Sequence, residues 1–418
     1  MFGKGAILIV MSFTISFSIY QLKMSRAVFN SMDSFNQQYV DNELYHAKLS
    51  AMNVGVNRVW DENITSGSFN VNADDCSSMV SITPVGLDTV KLKVITRTNI
   101  FDEDNFAVNG ALLEKRDSVI AFFKYRSPVS SFFWFTENEG NIHWVSGDTV
   151  WGPLHTNGLL KVSGSPVFNG KVTATLGITP LPTDPSNTAS YLGGYEIGNS
   201  NVVTTDMSTI ITAATNGNGA AAINTRSLYD REITLEFLDD GRVIRTVETD
   251  PPDTLALSVL APTGALYSTE TVHVKGDFNG ELSVYTSQNI YIEGNLAYAD
   301  DPMVNPHSDD MLGLIAGQNV IVADNADTQG DVTVQASIMA MSGSFMAENY
   351  NTRAVNGSLR LLGSIYQQDR GAIGTFDWGT NNRLSGFQKN YRFDDRLSSA
   401  APPYYPFVRN LQLIAWWE

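Results

Sequence analysis

The sequence predicts an α+β protein in which a long N-terminal helix and an antiparallel sheet precede a β-helix or β-solenoid-like all-β domain. Three observations predict it. Residues 6–20, AILIVMSFTISFSIY, carry no charge and run on into QLKMSRAVFNSMDSF without a Pro or Gly to stop a helix. Residues 78 to about 135 alternate β-branched and aromatic segments with turn-forming ones. From residue 271 onward short strand-like pieces echo one another.

The helix is expected over 6–62, after a leader at 1–5 whose basic side chain is Lys4. Its apolar run is shorter than the roughly 20 residues needed to cross about 30 Å of hydrocarbon. No small-x-small cleavage site follows at the distance a secretory signal requires. Ile7, Leu8, Ile9, Val10, Phe13, Ile15, Phe17 and Ile19 are therefore expected to anchor the chain in a membrane. Beyond Arg26 the apolar residues fall at Val28, Met32, Phe35 and Tyr39, then Tyr45, Leu49, Met52, Val56 and Val59. That 4-3-4 spacing puts them on one helical face, which packs on the chain's own domain, on neighbouring subunits, or on both.

Length and charge narrow the class of protein. A chain of 418 residues exceeds the usual single domain, so two or three units are expected. The net charge of −17 argues against nucleic acid, because phosphate binding is built on clustered Lys and Arg. Cys76 stands alone, and His46, His143, His155, His273 and His307 are scattered, so neither an internal disulfide nor a zinc site is expected. No cofactor is expected.

The opening KGAILIVMSFTISFSIY, a Gly before an uncharged helix that turns amphipathic, resembles the class III signal of type IV pilins and pseudopilins. The resemblance implies cleavage after Gly5 with Ala6 as the new N-terminus, and Gly3 is a second candidate point. The glutamate that major pilins carry at the fifth mature position is here Val10, so the resemblance is to minor components such as the PilX-type and large K-type subunits. It implies other pilin-like subunits as partners through the helix, and the inner membrane before assembly.

Residues 63–147 are expected as the antiparallel sheet, from MVSITPV, TVKLKVITRT, SVIAFFKYR and SSFFWFTE. Residues 148–177 change character: DTVWGPLHTNGLLKVSGSPVFNGKVT has rung-like spacing with Asn157-Gly158, Gly164 and Asn169-Gly170 at corners. His155 lies there with no Ser or Cys nucleophile motif beside it, which favours a structural role over a catalytic base. Residues 178–268, with TPLPTDPSNT and TNGNGAAA, look like an insertion. Within it REITLEFLDDGRVIRTVET reads as a hairpin around Asp239-Asp240-Gly241, a turn rather than a calcium loop.

Residues 269–398 are expected to continue the solenoid. Gln288-Asn289-Ile290 echoes Gln318-Asn319-Val320, and Ala336-Ser337-Ile338 echoes Gly363-Ser364-Ile365. Asp300, Asp301, His307, Asp309, Asp310, Asp324, Asp327 and Asp331 are the candidates for a carbohydrate-active site, which needs paired carboxylates in a groove. They fall in polar corners where Asp is expected as a turn former. Arg392, Asp394, Asp395 and Arg396 are candidates to pair. Residues 399–418 form a strap, APPYYPF, and a terminal strand whose Trp416 and Trp417 are expected to cap the solenoid's open end. The segments GPLHTNG, SIMAMSGSFMAENYN, GSIYQQDRGAIGTF and KNYRFDDRLSSAAPPYYPF resemble the soluble region of PilX-like pilus-assembly proteins, a family that supplies no catalytic residues.

The reading is a non-enzymatic minor pilin or pseudopilin with a tip, priming or adhesive role. Its exported body faces the periplasm or cell surface, where a glycan or a cell is the possible contact. Two alternatives stand beside it: a membrane-anchored carbohydrate-active β-helix enzyme, and a surface adhesin that joins no filament.

Overall fold

The computed structural model describes residues 3–73, 76–86, 88–100, 113–203, 206–217, 227–377 and 383–418. Met1 and Phe2 of the expected leader and residues 218–222 of TNGNGAAA lie outside them. A long N-terminal helix is joined to a large β-rich body, and the chain divides into two compact units, residues 1–126 with 410–418, and residues 127–409.

In the first unit, α1 spans Gly3–Asp61. Its uninterrupted length follows from the absence of Pro. Four antiparallel strands follow in simple up-and-down order: β1 (Gly67–Ala73), β2 (Cys76–Val85), β3 (Thr89–Ile100) and β4 (Leu113–Pro128). β2 alternates, with Cys76, Ser78, Val80 and Ile82 buried between exposed or half-buried neighbours, the signature of a sheet with one covered face. Val80, Val90, Leu92, Val94, Val119 and Ala121 form that face, and Ala51, Met52 and Val59 of α1 close over it. β1 was not among the expected strands, because GSFNVNA carries only two large apolar side chains.

Two expectations fail here. SSFFWFTE does not complete the antiparallel sheet: Trp134–Asn138 belongs to the second unit, paired in parallel with Leu154–Thr156 and Val355–Asp369. Its successive residues Trp134 and Phe135 are both buried, which suits a strand covered on two faces. Trp416 and Trp417 do not cap the β-rich body. They end the strand Phe407–Trp417, and the Trp417 ring meets Phe122 of β4 edge-on at 5.3 Å, in the first unit.

The second unit is dominated by parallel pairing. One ladder runs through Leu228–Tyr229, Ala265–Ser268, Glu281–Thr286, Met311–Ala316, Val332–Ala340, Val355–Asp369, Trp134–Asn138, Leu154–Thr156, Val172–Ala174 and Tyr195–Ile197. A second ladder pairs Ile233–Phe237, Val272–Phe278, Ile290–Tyr298, Val320–Val322 and Phe345–Ala347. The chain enters the first ladder at Trp134 and steps three strands away. It then passes to the far end at Leu228 and returns strand by strand until Ile365 pairs with Trp134.

Residues 178–268 are therefore not an insertion. Ile178–Thr179, Ser190–Tyr191 and Tyr195–Ile197 continue parallel pairings, and Leu228–Tyr229, Ile233–Phe237 and Ala265–Ser268 begin others. The Pro-rich stretch 180–189 is a corner between short strands. The hairpin forms, with Ile233–Phe237 against Arg242–Val247 and Gly241 at φ +78°.

Neighbouring ladder residues point to opposite sides and both are buried. Trp134, Leu314, Ile338 and Ile365 face one core, while Phe135, Ile315, Met339 and Tyr366 face a second. Met207, Ile210, Ala213 and Ala214, on or next to α2 (Ser208–Gly217), cover that second face together with Tyr405 and Val408. This explains the apolar runs GLIAG and SIMAM, in which each fully buried Leu, Ile or Met side chain contributes about 1.5–3 kcal/mol.

Candidate membrane and assembly helix

α1 is built in two parts. From Ile7 to Tyr39 its large side chains stand exposed all round: Ile7, Leu8, Ile9, Val10, Phe13, Ile15, Phe17, Ile19, Val28, Met32, Phe35 and Tyr39. The helix from Gly5 is long and apolar enough to cross a membrane, a test that a signal sequence also passes. Two hydroxyls within the uncharged run are satisfied locally: Ser12 Oγ donates to the Ile9 carbonyl and Thr14 Oγ1 to the Val10 carbonyl. Such back-bonding lets a hydroxyl sit in an apolar medium at little cost. Gly5 and Ala6 lie inside this helix.

From Leu44 onward one face is covered. Leu44, Ala47, Lys48, Ala51, Met52, Gly55 and Val59 are buried, a 3-1-3-1-3-4 stripe. The expected face is only partly matched: Met52 and Val59 lie in it, Val56 is half-buried, and Tyr45 is exposed. Leu49 is half-buried at its edge. The stripe is rotated because the sheet selects small residues for close approach rather than the largest apolar ones. A Cβ at Gly55 would stand 3.0 Å from both Leu92 Cδ2 and Val80 Cγ1.

Charges fix the register. Lys48 Nζ lies 2.7 Å from Asp117 of β4 and 3.6 Å from Glu418, and Lys115 pairs with Asp41. Arg58, in the last turn where a cation favours the helix dipole, stacks 3.9 Å over the Phe69 ring. A polarity search for functional residues misses Lys48, because a lone Lys in an amphipathic run reads as solvated.

The acidic candidates of the second unit are largely engaged. Buried Asp310 accepts from the backbone N–H groups of Gly280 (2.7 Å) and Asp300 (2.8 Å). Asp301 accepts from Met303 N, and Asn305 Nδ2 donates to Asp300. Arg353 stands 3.5 Å from Asp324, Lys275 3.3 Å from Asp327, and Arg360 2.6 Å from Asp331. These are turn and pairing roles. Among the described residues no group of three or more His, Cys, Asp or Glu side chains is placed to hold a metal ion. Arg396 chelates Asp394 at 2.6 Å and donates to the Ser308 carbonyl at 2.8 Å, tying 394–396 to the 299–310 loop.

His155 is fully buried on the outward side of its ladder. Its Nδ1 lies 2.6 Å from Thr173 Oγ1 and its Nε2 2.9 Å from Asn157 Oδ1, while Asn157 Nδ2 donates to Glu137 and to the Asn201 carbonyl. Desolvation lowers its pKa to about 4, against the opposing hydrogen bond of Asn157. A neutral imidazole with Thr173, Asn157 and Asn201 around it and Phe132 and Phe135 against its ring is a structural joint that holds the 199–203 connection.

No family model matches the chain, and no curated protein matches it. Among solved structures, the competence-associated pilin ComZ from Thermus thermophilus is similar at 12% identity, over 84% of this chain and 86% of that chain, with a TM-score of 0.34.

Proposed function

We propose that the chain is a non-enzymatic, minor pilin-like subunit of the PilX-like kind, acting at the tip, in priming or in adhesion of a type IV filament or a related secretion apparatus. The observation that carries the proposal is the division of α1, uncharged from Ala6 to Tyr20 with its large apolar side chains exposed as far as Tyr39, then covered on one face by its own sheet from Leu44. An apolar surface of that length needs lipid or other helices around it. In this reading residues 6 to about 25 sit in the inner membrane before assembly and pack among other subunits' helices afterwards. Val28, Met32, Phe35 and Tyr39 extend that packing, and the body faces the periplasm or cell surface.

We read the second unit as a β-solenoid. Supporting this are the parallel ladders and a core made of alternate residues from successive strands, as in Leu154 and Val172, which stand in register. A rigid, acidic stack of this size suits a subunit that does not repeat along a thin shaft.

Intact-mass analysis of the protein from native membranes and from sheared surface material tests the proposal, with and without the prepilin peptidase. A mature chain starting at Ala6 in the sheared fraction is the expected result. A chain still starting at Met1 and confined to membranes overturns the filament role, and immunogold labelling along whole shafts overturns the minor-subunit role.

A further inference from the structure

The turn that ends α1 carries a sequence the assembly role does not use: Asp61-Glu62-Asn63-Ile64-Thr65. An asparagine followed two positions later by Thr is the acceptor pattern for an N-linked glycan, and it is meaningful only on an exported, accessible loop. Both conditions can be examined in the fold. The helix stops at Asp61, and the backbone N–H groups of Glu62 and Ile64 both donate to the Arg58 carbonyl at 3.2 Å. Asn63 adopts φ +55° and is exposed, and β1 begins only at Gly67. The segment 62–66 thus belongs to neither helix nor sheet.

Asparagine is a common left-handed residue just past a helix C-terminus, which accounts for residue 63 by itself. It accounts for neither the hydroxyl at Thr65 nor the exposed carboxylate at Asp61. The chain's other match, Asn356-Gly357-Ser358, is a contrast: it lies within the strand Val355–Asp369, Ser358 N donates to Asp331 at 2.7 Å, and Ala354 stands where an acid would be. A transferase would have to peel that strand from its ladder, whereas the 62–66 turn presents its amide already outside the sheet.

We propose that Asn63 is the acceptor for an N-linked oligosaccharide transferred from a polyprenyl-diphosphate donor. The carboxamide nitrogen attacks the anomeric carbon, the carbon–oxygen bond to the diphosphate breaks, and the lipid diphosphate leaves with the electron pair. The amide loses one proton and nothing is oxidised or reduced. The Thr65 hydroxyl is the recognition group two residues on, and Asp61 supplies a charge for a cationic side chain of the transferase. The inference rests on the export of the body in the proposed function.

The test produces the full chain in a bacterium that carries a periplasmic oligosaccharyltransferase, its lipid-linked donor and an established acceptor protein as control. Protease accessibility in spheroplasts reports export separately. Mass spectrometry of the tryptic peptide between Arg58 and Lys91 is expected to show one added oligosaccharide. The addition is expected to survive Thr65→Ser, to disappear in Thr65→Ala and in Asn63→Gly, which keeps the left-handed turn, and to fall at least tenfold in Asp61→Ala. An exported chain left unmodified while the control is glycosylated overturns the proposal, as does modification that persists in Thr65→Ala. If the chain is not exported, the function reading fails by itself. The acceptor is then assayed with detergent-purified chain, transferase and donor, where absence of transfer to Asn63 overturns this proposal in turn.

Discussion

Lys48 on α1 and Asp117 on β4 form an ion pair of unequal burial: the lysine side chain is 3% exposed and the aspartate 39%, with 2.7 Å between Nζ and Oδ2. The two partners should therefore respond differently to removal. Asp117→Ala leaves a buried ammonium facing Glu418 at 3.6 Å and the Tyr45 ring at 5.2 Å, and is expected to destabilise the first unit by roughly 2–4 kcal/mol. Lys48→Met replaces a buried charge by an apolar side chain of similar length and leaves a carboxylate that water can reach, so it should cost less than about 1 kcal/mol. Amide hydrogen exchange of β4 in detergent-solubilised full chain measures both, and equal losses would contradict the asymmetry.

Gly55 sets how closely the helix lies on the sheet. Gly55→Ala regains about 1 kcal/mol of helix propensity and places a methyl 3.0 Å from two side-chain methyl groups that can shift, so the net change should be near zero. Gly55→Leu overfills the same gap and is expected to cost about 1–3 kcal/mol. Thermal unfolding followed by calorimetry, wild type against both variants, separates the two.

These two contacts show which features local sequence announces and which it hides. The helix, β2, β3, β4 and the hairpin at Asp240 are legible because each is marked by local periodicity or turn chemistry. The buried stripe of α1 is not: Ala47, Lys48, Ala51 and Gly55 look ordinary singly, and only a partner sheet makes small size decisive. Likewise the run of Pro and Asn from 178 to 189 reads as an insertion until Ile178 and Ser190 are seen pairing with Leu160 and Val167. Pairing between residues 231 apart, as for Trp134 and Ile365, leaves no trace in any short window. The placement of Trp416 and Trp417 fails for the same reason, because hydrophobicity identifies a buried or covered strand but not the neighbour.

Gly152, Gly170 and Gly193 stand one above another at a corner of the second unit, and a Cβ on Gly170 would be built into the Gly152 carbonyl. Backbone cannot retreat as a side chain does. Gly170→Ala is therefore expected to destabilise the second unit by about 3 kcal/mol or more, although the change is small and apolar. A drop in its unfolding midpoint with that of the first unit unchanged would show that the strain is confined to the ladders. No shift would mean that the corner can open.

His155 gives the second unit a pH dependence whose sign is fixed by burial. Its pKa falls from 6.5 to about 4 in the folded chain, so below pH 6.5 the unfolded chain binds a proton that the folded chain does not. Stability contributed by the neutral imidazole is complete above pH 6.5 and declines as pH falls to about 4, by something of the order of 3 kcal/mol across the window. Asparagine keeps a polar group among Thr173, Asn157 and Asn201 without titrating. His155→Asn should accordingly be less stable than wild type at pH 7 yet show a flatter stability profile between pH 6.5 and 4. Denaturant unfolding of both proteins at half-unit pH steps measures this; parallel profiles would place the acid sensitivity of the fold elsewhere.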